Sequence, residues 1–312
     1  MILLCGIPSE PSLGLVIEAV RELGADHLVF HQREFSRVEM QLEIDAGGVK
    51  GRLDYDGRAY CLGDFTAVYT RLMDCNHLPE IEDEPPHSPI RRHCMGVAET
   101  LMRWFDIMPG TVLNRSFEVG SNYSKPYQAQ LIRRMGFAVP KTLVSNDPER
   151  VREFWRQHGR VIYKSVSYIR SVVKTLEEGD RERLESVRTC PTQFQEYIDG
   201  ANVRVHAIGE KTFATRISAK TTDYRYAYLE GEREQLEAVE LSEELASRCV
   251  ALAEAMRLGF AGIDLKVTDR GEVYCLEVNP CPAFSYYQLH TGQPIAAAVA
   301  RYLAGEAGTL KH

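Results

Sequence analysis

The chain has 312 residues, 44% hydrophobic and 26% charged, ordinary values for a folded protein with room for a sizeable core and two or three compact lobes. A formal net charge of −7 argues against a protein that wraps nucleic acid, and no apolar stretch approaches the ~20 residues that span a bilayer. The eight cysteines form no C-x-x-C pair and several sit in apolar runs, so they suit a reducing compartment, with the cytoplasm as default address, better than a disulfide framework.

Residues 2–5 are an apolar run with no basic residues before them, which reads as a first strand and not as a signal peptide. Residues 13–23 carry apolar side chains at helical spacing and stop at Gly24, and residues 27–31 return as a strand. Segments 41–49 and 51–61, rich in Gly and Asp, suggest a small hairpin region, followed by a short strand at 65–71. Residues 79–89 hold four prolines and a run of acids, which marks a loop. An amphipathic helix over 91–106 follows, with Val97, Leu101, Trp104 and Phe105 on its apolar face. The alternation predicts an α/β unit over 1–110, a small sheet with covering helices. Asp74, Cys75, His77, His87, His93 and Cys94 are zinc-ligand types, but their spacing matches no familiar zinc module.

A second unit is expected over 111–194. Ser124 can cap a helix over 125–135 that Gly136 stops, and Asp147 or Asn146 can cap another over 148–158 with Pro148 near its first turn. Strands follow at 160–164 and 193–198, separated by the charged segment 177–188. The third unit, 195–312, carries two clear hairpins, 202–208 with 211–217 and 260–267 with 272–279. A helix over 242–258 lies between them and a last helix spans 293–303.

The second hairpin holds the most informative pattern. Strand alternation puts Ile263 and Leu265 on one face and Asp264 on the other. By the same rule Glu277 and Asn279 share a face, with Leu276 and Val278 opposite. If the hairpin turns around Arg270, Asp264 lies almost directly across from Glu277. Two carboxylates and an amide oxygen then converge, a hard donor set that suits Mg²⁺ completed by phosphate oxygens and water. The competing reading is an ordinary solvated hairpin face.

Other residues fit a nucleotide. Lys125 stands at a helix start, where free N–H groups and the dipole favour anions, and Lys164 ends an apolar strand. Taken singly, each lysine fits a surface position better; beside a metal face both fit phosphate contacts. Gln195-Glu196-Tyr197-Ile198 is a strand end followed by Asp199-Gly200, a place where backbone groups can read an adenine edge, although such strings are usually plain strand-to-loop junctions. Arg204 and His206 share a strand face, with Arg216 and Lys220 on or beyond the partner strand, a run of cations for an acyl phosphate or a carboxylate. For Lys220 a solvated basic edge is an equal reading.

The order Gln195-Glu196-Tyr197-Ile198, Asn202-Val203-Arg204, Asp223-Tyr224-Arg225, Ala261-Gly262-Ile263-Asp264, Glu277-Val278-Asn279-Pro280 and Thr291-Gly292 resembles the ATP-grasp superfamily. Its RimK-like branch, which includes ribosomal-protein glutamate ligases, is the most similar. Residues 142–149 also resemble the peptide ligases that cross-link graspetides such as microviridins. The resemblance spans about residues 114–303. It implies an α/β (α+β) ATP-grasp fold with two lobes clamping ATP between sheets. It also implies a reaction in which ATP phosphorylates a carboxylate, releasing ADP, and an amine or hydroxyl then displaces phosphate.

Carried over by position, Lys125, Lys164 and Ser167 hold the phosphates. Gln195, Glu196, Tyr197 and Ile198 line the adenine pocket, and Asn202, or Asp199 in its place, meets the ribose. Asp264, Glu277 and Asn279 bind two Mg²⁺ ions, with Mn²⁺ able to substitute, and Arg204, Arg225 and Lys220 face the transferring phosphoryl group or acyl phosphate. Two departures stand out: the loop 165–171, glycine-rich in the family, has no glycine here, and Asn202 replaces an acid. The implied substrate is a peptide or protein carboxylate. A small-molecule amino-acid ligase and a non-catalytic ATP-binding protein are the alternatives. No membrane or nucleic-acid partner is expected, and a homodimer is compatible with the pattern.

Overall fold

The computed structural model describes residues 1–46, 48–165, 173–218 and 235–306. The first unit begins with β1 (Ile2–Gly6), α1 (Pro11–Glu22) and β2 (His27–His31). An antiparallel meander follows, β3 (Val38–Asp45), β4 (Gly48–Tyr55) and β5 (Arg58–Cys61), one strand more than the hairpin expected from sequence. Then come β6 (Ala67–Thr70), α2 (Pro89–Ile107) and β7 (Thr111–Leu113). Strands β2-β1-β6-β7 form a parallel sheet in that order. Strand β1 is buried on both faces, as parallel strands are. Its Ile2 and Leu4 join the core under α1, while Leu3 and Cys5 join the core under α2.

The middle of the chain supplies α3 (Lys125–Arg134), β8 (Thr142–Ser145), α4 (Pro148–His158), β9 (Val161–Ser165), β10 (Lys174–Thr175) and β11 (Thr192–Glu196). Both helix starts are capped as the sequence suggests: Ser124 accepts from the Tyr127 N–H and Asp147 from the Glu149 N–H. Helix α3 ends before Gly136, whose φ of +78° only glycine adopts without strain. The strands make an antiparallel sheet in the order β10-β9-β11-β8.

The last unit contains β12 (Ala201–Ile208), β13 (Lys211–Ser218), β14 (Gln235–Val239), α5 (Glu243–Ala255), β15 (Phe260–Val267) and β16 (Val273–Asn279). Helices α6 (Ser285–Thr291) and α7 (Ile295–Leu303) close it. The sheet runs β14-β13-β12-β15-β16, and every pairing is antiparallel. Val205, Ile263, Leu265 and Val278 fill the core on one face beneath α5, joined by Ile132 of α3. Helix α7 returns to the first unit, where Val299 and Tyr302 pack with Val16 and Val20 of α1. Among the described residues no helix is long and apolar enough to cross a membrane.

Candidate active site

The four-stranded and five-stranded antiparallel sheets face each other across a cleft lined by residues of both. The β15–β16 hairpin forms one wall. Its register places Asp264 directly opposite Glu277, and Gly262 opposite Asn279. The pairing then slips, because Leu265 faces Cys275 rather than Leu276, leaving one extra residue in β16. A bulge of this kind changes the parity of the strand. Cys275 and Val278 therefore both reach the core, three residues apart, and Leu276 joins Glu277 on the cleft wall. The expectation that Leu276 points away from the cleft is corrected by this slip.

Both carboxylates draw a cation from elsewhere in the chain. Arg204, opposite Asp264 in the β12–β15 ladder, donates through Nη1 to Asp264 Oδ1 at 2.7 Å. It can lie flat there because residue 262 is glycine; a Cβ at that position would overlap the Arg204 guanidinium. Lys125, on the first turn of α3, donates through Nζ to Glu277 Oε1 at 2.8 Å. Only 15% of the lysine and 25% of the glutamate side chain are exposed, so the pair is partly shielded from water. Asn279 stands next along the strand, with its Oδ1 accepting the Cys281 N–H at 2.9 Å.

Much of the remaining lining is apolar. Ile162, Val173, Val203, Ile217 and Leu276 contribute to it, together with Gln195, Glu196, Tyr197 and Ile198. The Glu196 carboxylate is turned to structure, accepting the Lys141 N–H at 2.7 Å. Arg160 stacks on the Tyr197 ring at 3.8 Å and pairs with Asp199 at 3.0 Å. Asn202 pairs with Lys266 across β12 and β15, and both line the cleft. Burial lowers the Lys266 pKa, partly offset by Asp199, and its Nζ donates to the Gly200 carbonyl at 2.9 Å.

Lys164, Gln195, Glu196, Tyr197, Ile198, Asn202, Asp264 and Glu277 thus line one cleft, and Arg204 and Lys125 reach its carboxylates. Ser167, Lys220 and Arg225 lie outside the described residues. The proposed run of cations is shorter than expected. His206 is wholly buried against Tyr287, its rings 4.9 Å apart, and burial beside Arg204 pushes its pKa well down, so it is neutral. Arg216 is exposed and pairs with Glu237 on the next strand. The zinc reading also fails: Cys75 and Cys94 sit in an apolar cluster, and among the described residues no three His, Cys, Asp or Glu side chains converge.

Sequence reasoning missed Lys266, Gln128 and Asn114. Alternation from Asp264 already puts Lys266 on the cleft face. The two buried amides bond backbone groups 146 to 166 residues away, and nothing local signals that.

The model of the RimK-like ATP-grasp domain matches residues 123–303, the span that builds both cleft walls. The chain belongs to the RimK-like ATP-grasp family. This ATP-grasp ligase is 28% identical over 216 residues to a probable alpha-L-glutamate ligase of Pseudoalteromonas translucida, covering 65% of this chain and 70% of the relative. Among solved structures it is similar to macrocyclase MdnC of Microcystis aeruginosa bound with precursor peptide MdnA. That match has a TM-score of 0.81 and 24% identity, over 98% of this chain and 100% of the other. It is also similar to ATP-grasp ligase PsnB complexed with minimal precursor, with a TM-score of 0.80 and 27% identity over 98% of each chain. PsnB has also been solved with Mg and ADP.

Family membership brings ATP as the nucleotide, and the residues present suit its magnesium. The donors are all oxygen, and Asp264 and Glu277 each engage a cation in this structure, as closely opposed carboxylates must.

Proposed function

We propose that the cleft binds Mg²⁺·ATP with its base at the apolar end and its phosphates at the Asp264–Glu277 end. There it phosphorylates the carboxylate of a peptide substrate, and an amine or hydroxyl of the same or a second substrate then displaces phosphate. The observation that carries this reading is the opposition of Asp264 and Glu277 on the wall of a largely apolar cleft that Lys164 also lines, with Lys125 and Arg204 paired to them. Asp264, Glu277 and Asn279 would hold the metal, which supplies charge neutralisation along the triphosphate. Lys125 and Lys164 share a groove beside this end, where both ammonium groups suit phosphate oxygens. Arg204 neutralises charge developing on the transferring phosphoryl group, and little covalent chemistry is asked of the protein. Leu276, Ile162 and Ile217 cover the base.

The peptide assignment rests on MdnC and PsnB, whose structures contain precursor peptides and match this chain over nearly its whole length. The curated relatives named as probable alpha-L-glutamate ligases support ligation with glutamate as one of the joined partners. The test is an ADP-release screen with acid-rich precursor peptides encoded beside the gene, free glutamate and small carboxylic acids. The expected result is peptide-dependent ADP formation with loss of water from the peptide mass. Turnover with free amino acids alone would reject the peptide reading, and no ADP with any substrate would favour a non-catalytic nucleotide binder.

A further inference from the structure

Strand β16 lies at the edge of its sheet, and edges leave backbone groups without partners. In an antiparallel ladder the bonding direction alternates residue by residue, so either Glu277 and Asn279 or Val278 must face outward. It is Val278. Its N–H donates to Gln128 Oε1 at 2.9 Å, and its carbonyl accepts from Gln128 Nε2 at 2.8 Å. One planar carboxamide, donor and acceptor together, thus replaces the missing neighbouring strand. Gln128 is 2% exposed and Val278 fully buried, so water is a poor substitute. Two further contacts continue the edge. The Cys275 N–H donates to the Ala138 carbonyl at 2.9 Å, and Asn114 Nδ2 donates to the carbonyls of Pro280 and Phe260.

The consequence follows from helix geometry. Gln128 lies three residues after Lys125, on the same face of α3, and neighbours on that face contact neighbours on β16. Lys125 meets Glu277 and Gln128 meets Val278, the next residue. We infer that Gln128 is a positioning residue for the metal–phosphate end of the site: its carboxamide sets the height of α3 on β16, and with it the placement of Lys125 and of the Glu277–Asn279 pair. Gln128 touches none of the residues that β9, β11, β12 and β13 give to the base end, where Leu276 is the one side chain of β16. This inference rests on the proposed reading of Glu277 and Asn279 as metal ligands.

The experiment measures Mn²⁺ binding to the full chain in the presence of ADP, by the loss of the free-ion electron paramagnetic resonance signal. Binding of a fluorescent ADP analogue in EDTA is measured in parallel. Groups that orient metal ligands typically contribute about 10- to 100-fold to metal affinity. The Q128L variant should therefore bind Mn²⁺ about tenfold or more weakly in the ADP complex, with metal-free nucleotide affinity within about twofold of wild type. Q128E keeps the acceptor for the Val278 N–H and loses the donor to its carbonyl, and should fall between the two. Unchanged Mn²⁺ affinity in Q128L would overturn the assignment, even if the melting temperature drops, since that is the signature of a purely structural amide. If Q128L fails to fold, Q128E decides: wild-type Mn²⁺ affinity there overturns it. Failure of wild-type protein to bind Mn²⁺·ADP at all would instead count against the metal site itself, so the two readings fail separately.

Discussion

The two ends proposed for the cleft are built on opposite principles. The proposed base end is lined by apolar side chains from several β-strands, with Val203 and Ile217 buried before any ligand arrives. The proposed phosphate end is assembled from charges borrowed across the chain, Lys125 for Glu277 and Arg204 for Asp264. An apolar pocket of the first kind is preformed and asks little rearrangement of its ligand. A charge-balanced site of the second kind must exchange partners when phosphates and a metal enter. Each lysine or arginine leaving a carboxylate for a phosphate frees an oxygen for the metal, so nucleotide and metal binding should favour one another.

The largest effect separates the two ends outright. Glu277→Ala removes a carboxylate from the metal face and should reduce ADP release by about a thousandfold or more, several kcal/mol of transition-state stabilisation. Binding of an ADP analogue in EDTA should be nearly unchanged, because the base end is untouched. Wild-type ADP release from the variant would remove Glu277 from the metal site.

A smaller and more diagnostic effect comes from Lys125→Met. The lysine and an incoming divalent ion compete for Glu277 Oε1, and a partly exposed ion pair is worth up to about 1 kcal/mol. Without nucleotide, Mn²⁺ should bind the variant about fivefold more tightly than wild type. Turnover should nevertheless fall, because the phosphate contact is lost. Weaker nucleotide-free Mn²⁺ binding in the variant would show that Lys125 does not hold the place of the metal.

How legible these two ends were in the sequence differs for a physical reason. Period-two alternation and a short turn were enough to oppose Asp264 and Glu277, and the register agrees. Alternation fails one residue further on, because the slip between Asp264 and Leu265 changes parity and nothing in Cys275-Leu276-Glu277 announces it. Strand β14 was also missed. It is an edge strand with the sequence Gln-Leu-Glu-Ala-Val, mostly exposed, and has no buried face to mark it. Gln128 and Asn114 read locally as unremarkable amides, since their partners are set by how α3 and β7 dock on distant strands. Local periodicity carried the elements and the carboxylate pair, and docking carried the rest.

A third effect, on stability and not on binding, tests whether charge balance at the proposed phosphate end reaches into the core beneath it. His206 lies two residues from Arg204 on β12, fully buried, with its pKa held well below the usual 6.5 by burial and by the guanidinium. The unfolded chain takes up a proton there as pH falls through 6.5, while the folded chain does not. Proton uptake by the unfolded state alone lowers stability as pH falls, by up to about 1.4 kcal/mol per pH unit, until the depressed folded pKa is reached. Above pH 6.5 both states are neutral at this site and it contributes no slope. His206→Leu, close in volume, should therefore flatten the stability profile between pH 6.5 and 5.5 in urea unfolding, while leaving the slope above pH 7 unchanged. Identical profiles for the two proteins below pH 6.5 would mean that the folded protein protonates His206 without cost, which its burial beside Arg204 argues against.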